Sequence, residues 1–407
     1  MGATEAATKI SRRLKPHTTE TTKTTKAKRR PVQNGDHSAQ PPAKRRKQQP
    51  ARSKSPQLSK PGTEIIKAPT DLLTVFAFGN GENCELGMGP SCTESTVPRL
   101  NPFFDPNGKP KFKILQVACG GMHSVAITAD NKIVTWGIND SGTLGRPTDW
   151  DGSLRDMDAE SDDEEGDLNP FESTPGEVAV HHFEPGAVFA QVAAGDSCTF
   201  ALTTKGSVYG WGTFRNTKGN ECFGYDVGGN PIKKQTTPIL IKGLPNISQV
   251  VCGTNHVLAL DTKGIVWGWG NGEENQLGHR LFGRHQNSLV PRPIRVCRNK
   301  VTYIASDEFV IRRGIRDKPE VCARPTLVHN IGRVSQAACG IDHTIFMNTD
   351  GKAFSTGFNL NGQLGLQSTD DVSLAREITA KSVRDRKLSW AGAGGNFSFV
   401  AEIECPK

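Results

Sequence analysis

The 407 residues hold no Cys-x-x-Cys pair, no apolar run long enough to cross a bilayer, and no segment with a sustained 3.6-residue apolar period. The ten cysteines stand singly, as at Cys84, Cys119, Cys198, Cys252 and Cys339, and Cys119 and Cys252 each precede a glycine, as small buried hydrophobes do. Such thiols read as reduced cysteines of an intracellular protein, forming neither disulfides nor a zinc site. The missing apolar run argues against a membrane-spanning helix. The missing helical period argues against a solenoid of stacked helices. No glycine-rich stretch ends in Lys-Ser/Thr or opens a helix, so the chain is not expected to bind a nucleotide itself. Its polar, basic beginning has no apolar core and does not read as a secretory signal.

What is present is distributed unevenly. Residues 1–60 carry 16 Lys+Arg against 3 Asp+Glu, while the whole chain has a net charge of +8, so the remainder is mildly acidic. This asymmetry predicts an arm that seeks polyanions, attached to a body with another task. Residues 1–70 are rich in Thr, Lys, Arg, Pro and Gln and nearly free of aromatic and branched apolar side chains, a composition expected to stay disordered. Within them Lys28-Arg29-Arg30 and Lys44-Arg45-Arg46-Lys47 flank a proline-containing spacer. Two basic clusters on an extended spacer predict a bipartite signal read by a nuclear import receptor; the plainer reading is a solvated basic tail. The tail's cations suit DNA through counterion release, without base reading, since no recognition helix is visible. The acidic insert Asp156–Asp167 reads as a solvated loop, or as a contact for basic histone tails.

From residue 71 to 404 one two-part sentence repeats. The first part is apolar-x-apolar-aromatic-Gly, a polar stretch, then Leu-Gly, as in VFAFGNGENCELG (75–87), IVTWGINDSGTLG (133–145) and IVWGWGNGEENQLG (265–278). The second runs Gln-Val-Ala-Cys-Gly-x-x-His, as in QVACGGMHSVAIT (116–128), QVAAGDSCTFALT (191–203), QVVCGTNHVLALD (249–261) and QAACGIDHTIFMN (336–348), with WAGAGGNFSFVA (390–401) a weaker copy. Turns such as TKGS (204–207) and TDGK (349–352) join the parts as hairpins. Short alternating strands at a fixed period predict an all-β propeller of four-stranded blades, a ring that leaves no long exposed edge.

These sentences resemble those of the regulator of chromosome condensation family, the Ran guanine-nucleotide exchange factors, in its fungal form. The stretch TFRNTKGN (213–220) directly after a Trp-Gly, the Gly-Gly-Met-His turn at 120–123 and the basic tail carry the resemblance. It implies a seven-bladed propeller, one face on chromatin and the other on the small GTPase Ran, with a projecting wedge that helps to expel GDP. It places Phe214, Arg215 and Asn216 at the wedge tip, and Glu82, His123, Asp196 and Asn255 around the exchange face. It implies a nuclear, chromatin-bound, monomeric protein that serves nucleocytoplasmic transport and needs no cofactor and no metal. The alternative is a chromatin or scaffold propeller without exchange activity.

The residues also permit plainer roles. His123, His256 and His343 recur at one repeat position, which itself points to architecture, and Asp196 is equally suited to capping its turn. Cys198 and Phe397 stand where the repeat elsewhere has histidine. Only five Gly-x-x-His-like sentences are present, and Tyr303-Ile304-Ala305-Ser306 runs straight into Asp307-Glu308-Phe309 where such a turn is expected, as if about two turns were missing there.

Overall fold

The glycine after each aromatic residue explains why the repeats fold as they do. Gly79, Gly137, Gly212, Gly270 and Gly357 all have φ between +97° and +118°, and an added Cβ would lie 2.3–2.6 Å from the carbonyl oxygen before the histidine-position residue of the same sheet. Glycine alone tolerates both. Each pairs with that residue across the sheet: Gly137 with His123, Gly212 with Cys198, Gly270 with His256, Gly357 with His343 and Gly79 with Phe397. The second and third strands of every sheet are thereby locked in one register.

The computed structural model describes residues 64–152, 168–273, 276–277, 288–294, 300–304 and 328–404. Five four-stranded antiparallel blades emerge. Blade I joins Leu388–Ala393 and Phe397–Ile403 to Leu73–Asn80 and Glu94–Leu100, so the two ends of the repeat region share one sheet. Blade II is Ile114–Cys119, His123–Thr128, Ile133–Gly137 and Gly176–Glu177. Blade III is Phe189–Ala194, Cys198–Thr203, Val208–Gly212 and Gln235–Leu240. Blade IV is Ile247–Cys252, His256–Asp261, Val266–Gly270 and Arg292–Ile294. Blade V is Val334–Cys339, His343–Asn348, Ala353–Gly357 and Val372–Glu377.

The core lies between blades. Ile114, Val117 and Trp136 pack against Val75 and Ala77; Val192, Ala201 and Trp211 against Val125 and Ile127; Val250, Val257 and Trp269 against Phe200 and Leu202; and Phe76, Phe78 and Val400 against Ile345 and Met347. The Leu-Gly pair belongs to this packing. A Cβ on Gly87 would lie 2.4 Å from Trp136, one on Gly145 2.8 Å from Trp211, and one on Gly365 2.9 Å from Phe78, each the aromatic residue of the next blade. The indoles also donate to the same loops, Trp136 Nε1 to Glu85 O (3.0 Å) and Trp211 Nε1 to Thr143 O (2.7 Å).

A bulge in each first strand completes the spacing between blades. The register slips between 114 and 116, 189 and 191, 247 and 249, 334 and 336, and 388 and 390. An extra residue of this kind re-aims the side chain that follows. Four of the five such side chains are glutamines, and each clamps the backbone of the next blade: Gln116 accepts from Val192 N–H, and Gln191, Gln249 and Gln336 reach the N–H and C=O of Val250, Ile304 and Ala391 respectively.

Ile304 thus occupies the place that Val192 and Val250 take in the preceding pairs, although 301–304 is not itself in a strand among the described residues. On the other side, Val334 and Ala337 of blade V are exposed where their counterparts Ile114 and Val117 are buried. Among the described residues, no element covers the first strand of blade V as blade I covers that of blade II. Glu64–Thr70, assigned to the tail from composition, instead includes a docked pair: Ile65 and Ile66 donate to Thr204 O (2.7 and 3.3 Å), and Ile66 packs on the blade III–IV core. The import clusters 28–30 and 44–47 and the acidic insert 156–167 lie outside the described residues.

Candidate functional site

The Gly-x-x-His turns come together at one rim and bond to one another. Ile341 N–H reaches Gly394 O (3.3 Å), Gly395 N–H reaches Gly121 O (2.9 Å), Gly121 N–H is shared between Gly195 O and Asp196 O (3.3 Å each), and Asp196 N–H reaches Thr254 O (2.9 Å). A cavity of about 330 Å³ opens between these turns, lined by their glycines and by Cys119, Ala194, Cys252 and Cys339. The rim is stiff because backbone, rather than long side chains, ties one turn to the next.

One loop on this rim differs from the others. In blades I, II and V the Leu-Gly pair follows the landmark glycine at a constant interval (79 to 87, 137 to 145, 357 to 365), but in blade III the corresponding pair is Phe223-Gly224, after Gly212. The longer loop doubles back as a turn closed by the Arg215–Glu221 bridge, with the Asn216 carboxamide accepting from Lys218 N–H (3.0 Å) and Asn220 N–H (2.9 Å). A second hairpin follows, Gly224–Tyr225 with Pro231–Ile232, whose turn is capped by Asp226. Its Val227 is fully exposed. The lengthened loop is the projecting element of the rim.

The sequence placed Phe214, Arg215 and Asn216 together at the tip, and the structure separates them. Phe214 is 2% exposed, stacked on Phe223 (5.8 Å between centroids, 5° between planes) and on Phe200 (6.3 Å). It fills the gap that the displaced Leu-Gly pair leaves beside Trp269, so it anchors the projection and cannot be its contact surface. Arg215 is half-exposed and sits among Asp196 (3.7 Å), Glu221 (3.6 Å) and the Ser141 hydroxyl (2.9 Å). Asn216 is half-buried and shapes the turn, leaving Thr217–Asn220 exposed. Asn255 accepts the Arg215 backbone N–H on its Oδ1 (2.7 Å). Asp196, Arg215 and Asn255 are therefore brought into one cluster by three different segments.

His123 belongs elsewhere. It is fully buried, and burial pushes its pKa down to about 4, so it is neutral. Its Nε2 meets the Thr199 hydroxyl of blade III (2.8 Å), which in turn donates to Thr143 O (2.9 Å). His343 repeats the arrangement with Ser398 and Gln363 O across to blade I. These histidines link blades, and the expectation that His123 offers a rim contact is corrected. The slot is interior, which is why Cys198 and Phe397 fit it, both 0% exposed. Glu82 is exposed at the start of the blade I loop, held by Asn80 (2.8 Å from Glu82 N–H). Glu85, which the sequence reading passed over, is buried in the same loop against Asn83, and desolvation raises its pKa to about 7. Among the described residues no group of three His, Cys, Asp or Glu side chains could hold a metal ion.

Residues 74–311 match the model of the RCC1-like domain, and residues 334–363 that of the regulator of chromosome condensation repeat. The chain belongs to the regulator of chromosome condensation family. It is similar to the guanine nucleotide exchange factor SRM1 of Saccharomyces cerevisiae, 35% identical over 82% of this chain and 88% of that protein, and to the protein RCC1 of Candida albicans, 35% identical over 84% and 77%. Two solved structures of Prp20 share the fold. Prp20p, described with its binding to Gsp1p and histones, superposes with a TM-score of 0.68 at 27% identity, covering 84% of this chain and 94% of that one. Yeast RCC1 (Prp20) bound by Kap60 gives 0.69 at 27%, covering 87% and 96%. The alignment with the exchange factor runs to 431 positions, more than this chain contributes, so that relative carries stretches absent here.

Proposed function

We propose that the chain is a guanine-nucleotide exchange factor for the small GTPase Ran, acting in the nucleus on chromatin. The observation that carries this reading is the lengthened blade III loop, held at the rim by Arg215 and Asn255 and standing beside Asp196. Exchange needs no nucleophile and no general acid. A protein that binds the nucleotide-free GTPase more tightly than the loaded one must weaken nucleotide binding by the same factor. For that task a rigid projection pressing on a phosphate-binding region is the useful part, and polar groups around the rim, Glu82, Asp196 and Arg215, fix its orientation. The basic clusters of the tail serve an import receptor, and the tail and body together engage DNA and histones, in keeping with the partners named for the yeast relative.

The test is release of labelled GDP from Ran by the full chain. Acceleration over the spontaneous rate is expected at micromolar protein, and none refutes the reading. The exposure of Val334 and Ala337 on the first strand of blade V favours a second reading, a chromatin-bound propeller without exchange activity. Nucleosome binding with GDP release at the spontaneous rate selects it.

A further inference from the structure

The projecting turn is fastened from outside its own blade. Three side chains of blade IV, one from the turn before its second strand and two from the loop after its third, take hold of its backbone. Asn255 Oδ1 receives the Arg215 N–H (2.7 Å), Asn271 Nδ2 donates to Arg215 O (3.2 Å), and Glu273 Oε2 accepts from both the N–H (3.0 Å) and the hydroxyl (2.6 Å) of Thr217. Glu273 is held in turn by its own N–H donating to Asn271 Oδ1 (3.0 Å). Blade II adds a hold from the opposite side, with Ser141 on the Arg215 guanidinium and Asp140 O accepting from Lys234 Nζ (2.6 Å).

An isolated surface turn of this length has little to fix it. Its internal ties are the Asn216 side chain, the Arg215–Glu221 bridge and three backbone bonds, Asn216 N–H to Asn220 O (3.1 Å), Gly219 N–H to Asn216 O (2.9 Å) and Cys222 N–H to Phe214 O (3.0 Å). These close the turn on itself without fixing how it sits on the rim, while Thr217–Asn220 is exposed. Exposed turns with few buried contacts open locally at little cost, and their amides exchange hydrogens readily. A carboxylate that accepts two hydrogen bonds from one residue is a charge-assisted clasp, stronger than a neutral pair. It sits at the first residue of the exposed segment, where it decides the direction in which the segment leaves the rim.

We propose that Glu273, oriented by Asn271, is a positioning residue for nucleotide exchange: it holds the Thr217 end of the projecting turn so that the turn meets the GTPase already ordered. The proposal rests on the exchange reading above. Glu273 does not itself press on the nucleotide site; it acts through Thr217. The clasp is ionic at neutral pH, because both bonds from Thr217, with Lys218 nearby, hold the Glu273 carboxyl below the usual carboxylate range. A preordered turn does not lose its conformational freedom at the moment of binding, and interactions realised only when nucleotide leaves raise turnover rather than affinity.

The test uses the full chain with Ran and labelled GDP, together with amide hydrogen exchange on residues 213–222. Glu273→Ala is expected to lower kcat about tenfold with KM within about twofold. The amides of 216–220 should exchange faster while those of 198–203 and the melting temperature stay unchanged. Glu273→Gln, which keeps an acceptor, restores most of the rate. Thr217→Val slows wild type but adds nothing in the Glu273→Ala background, as a shared contact requires. Wild-type rates in Glu273→Ala overturn the proposal. So does faster amide exchange with unchanged GDP release, and so does slower release with unchanged protection, which makes Glu273 a direct contact. A wild-type chain that never speeds GDP release sinks the exchange reading instead, and the clasp then stands or falls on the amide measurement alone.

Discussion

Replacing Phe214 by alanine separates two views of the projecting loop. If the ring were a contact surface, its loss would leave stability untouched and weaken GTPase binding. The structure has it inside, 2% exposed, parallel to Phe223 at 5.8 Å and near-parallel to Phe200 at 6.3 Å, within the core shared by blades III and IV. Truncating a buried phenylalanine costs about 3–5 kcal/mol, of which each aromatic neighbour accounts for about 0.5–1.5 kcal/mol beyond transfer. The site is near the surface and can partly collapse, so about 3 kcal/mol is expected. Phe214→Leu keeps most of the volume and should cost about half as much. The assay is equilibrium unfolding in urea followed by tryptophan fluorescence, since Phe200 packs edge-on against Trp269 at 5.6 Å. Phe214→Ala unfolding at the wild-type midpoint refutes the anchor. GDP release by the alanine variant should also slow, because a loop without its anchor loses its aim.

Gln191→Ala removes both hydrogen bonds to Val250, leaving a buried N–H and C=O without partners, and should destabilise by about 2–4 kcal/mol in thermal unfolding. A change below about 0.5 kcal/mol means that the glutamine clamps do not hold the blades. Arg215→Ala should slow GDP release several-fold while moving the melting temperature little, because its ion pairs are partly exposed and such pairs contribute little to stability. Equal loss of both would make Arg215 structural. His123 and His343 are each pushed down to about 4 by burial, so the unfolded chain binds their protons first as pH falls. Stability that is present above about 6.5 is lost on the way to about 4, by about 3 kcal/mol per histidine. Glu85, pushed up to about 7, takes up a proton in the folded state over much of the same range and offsets about one histidine. His343→Gln, which keeps a donor for Ser398, should flatten the fall in unfolding midpoint between pH 6.5 and 4.5; an unchanged slope removes His343 from the account.

The propeller was legible because its rules are local. Gly after an aromatic residue, Leu-Gly beyond it, and a short glycine-containing turn between strands each stand in a short window, and all five repeats read in the sequence appear as blades among the described residues. Contacts between blades were not legible, since nothing in the string pairs Gly87 with Trp136 or Gln249 with Ile304. This is why the histidines needed the structure: their recurrence pointed to architecture, but Thr199 and Ser398 sit a whole blade away. Phe214 was misplaced because an aromatic residue beside an arginine looks like a contact surface when the loop is read alone. The useful signal was Phe223-Gly224, a Leu-Gly equivalent displaced down the chain, which marks the intervening residues as extra and Phe214 as the filler. The boundary near residue 70 failed for a similar reason. Composition averaged over Ile65-Ile66, an apolar pair in an otherwise polar stretch.

Blade I has a consequence for synthesis. Seven consecutive residue pairs join Leu73–Gly79 to Phe397–Ile403, and a side-chain bond from Thr74 to Glu404 spans 330 positions. The partner of this first apolar strand lies beyond all the other described blades, so LTVFAFGN must wait through the translation of each of them with that hydrogen-bonding edge unmet. Blade I is thus a clasp made from both ends of the repeat region, and loss of Phe397–Ile403 would leave Leu73–Asn80 without its longest strand partner.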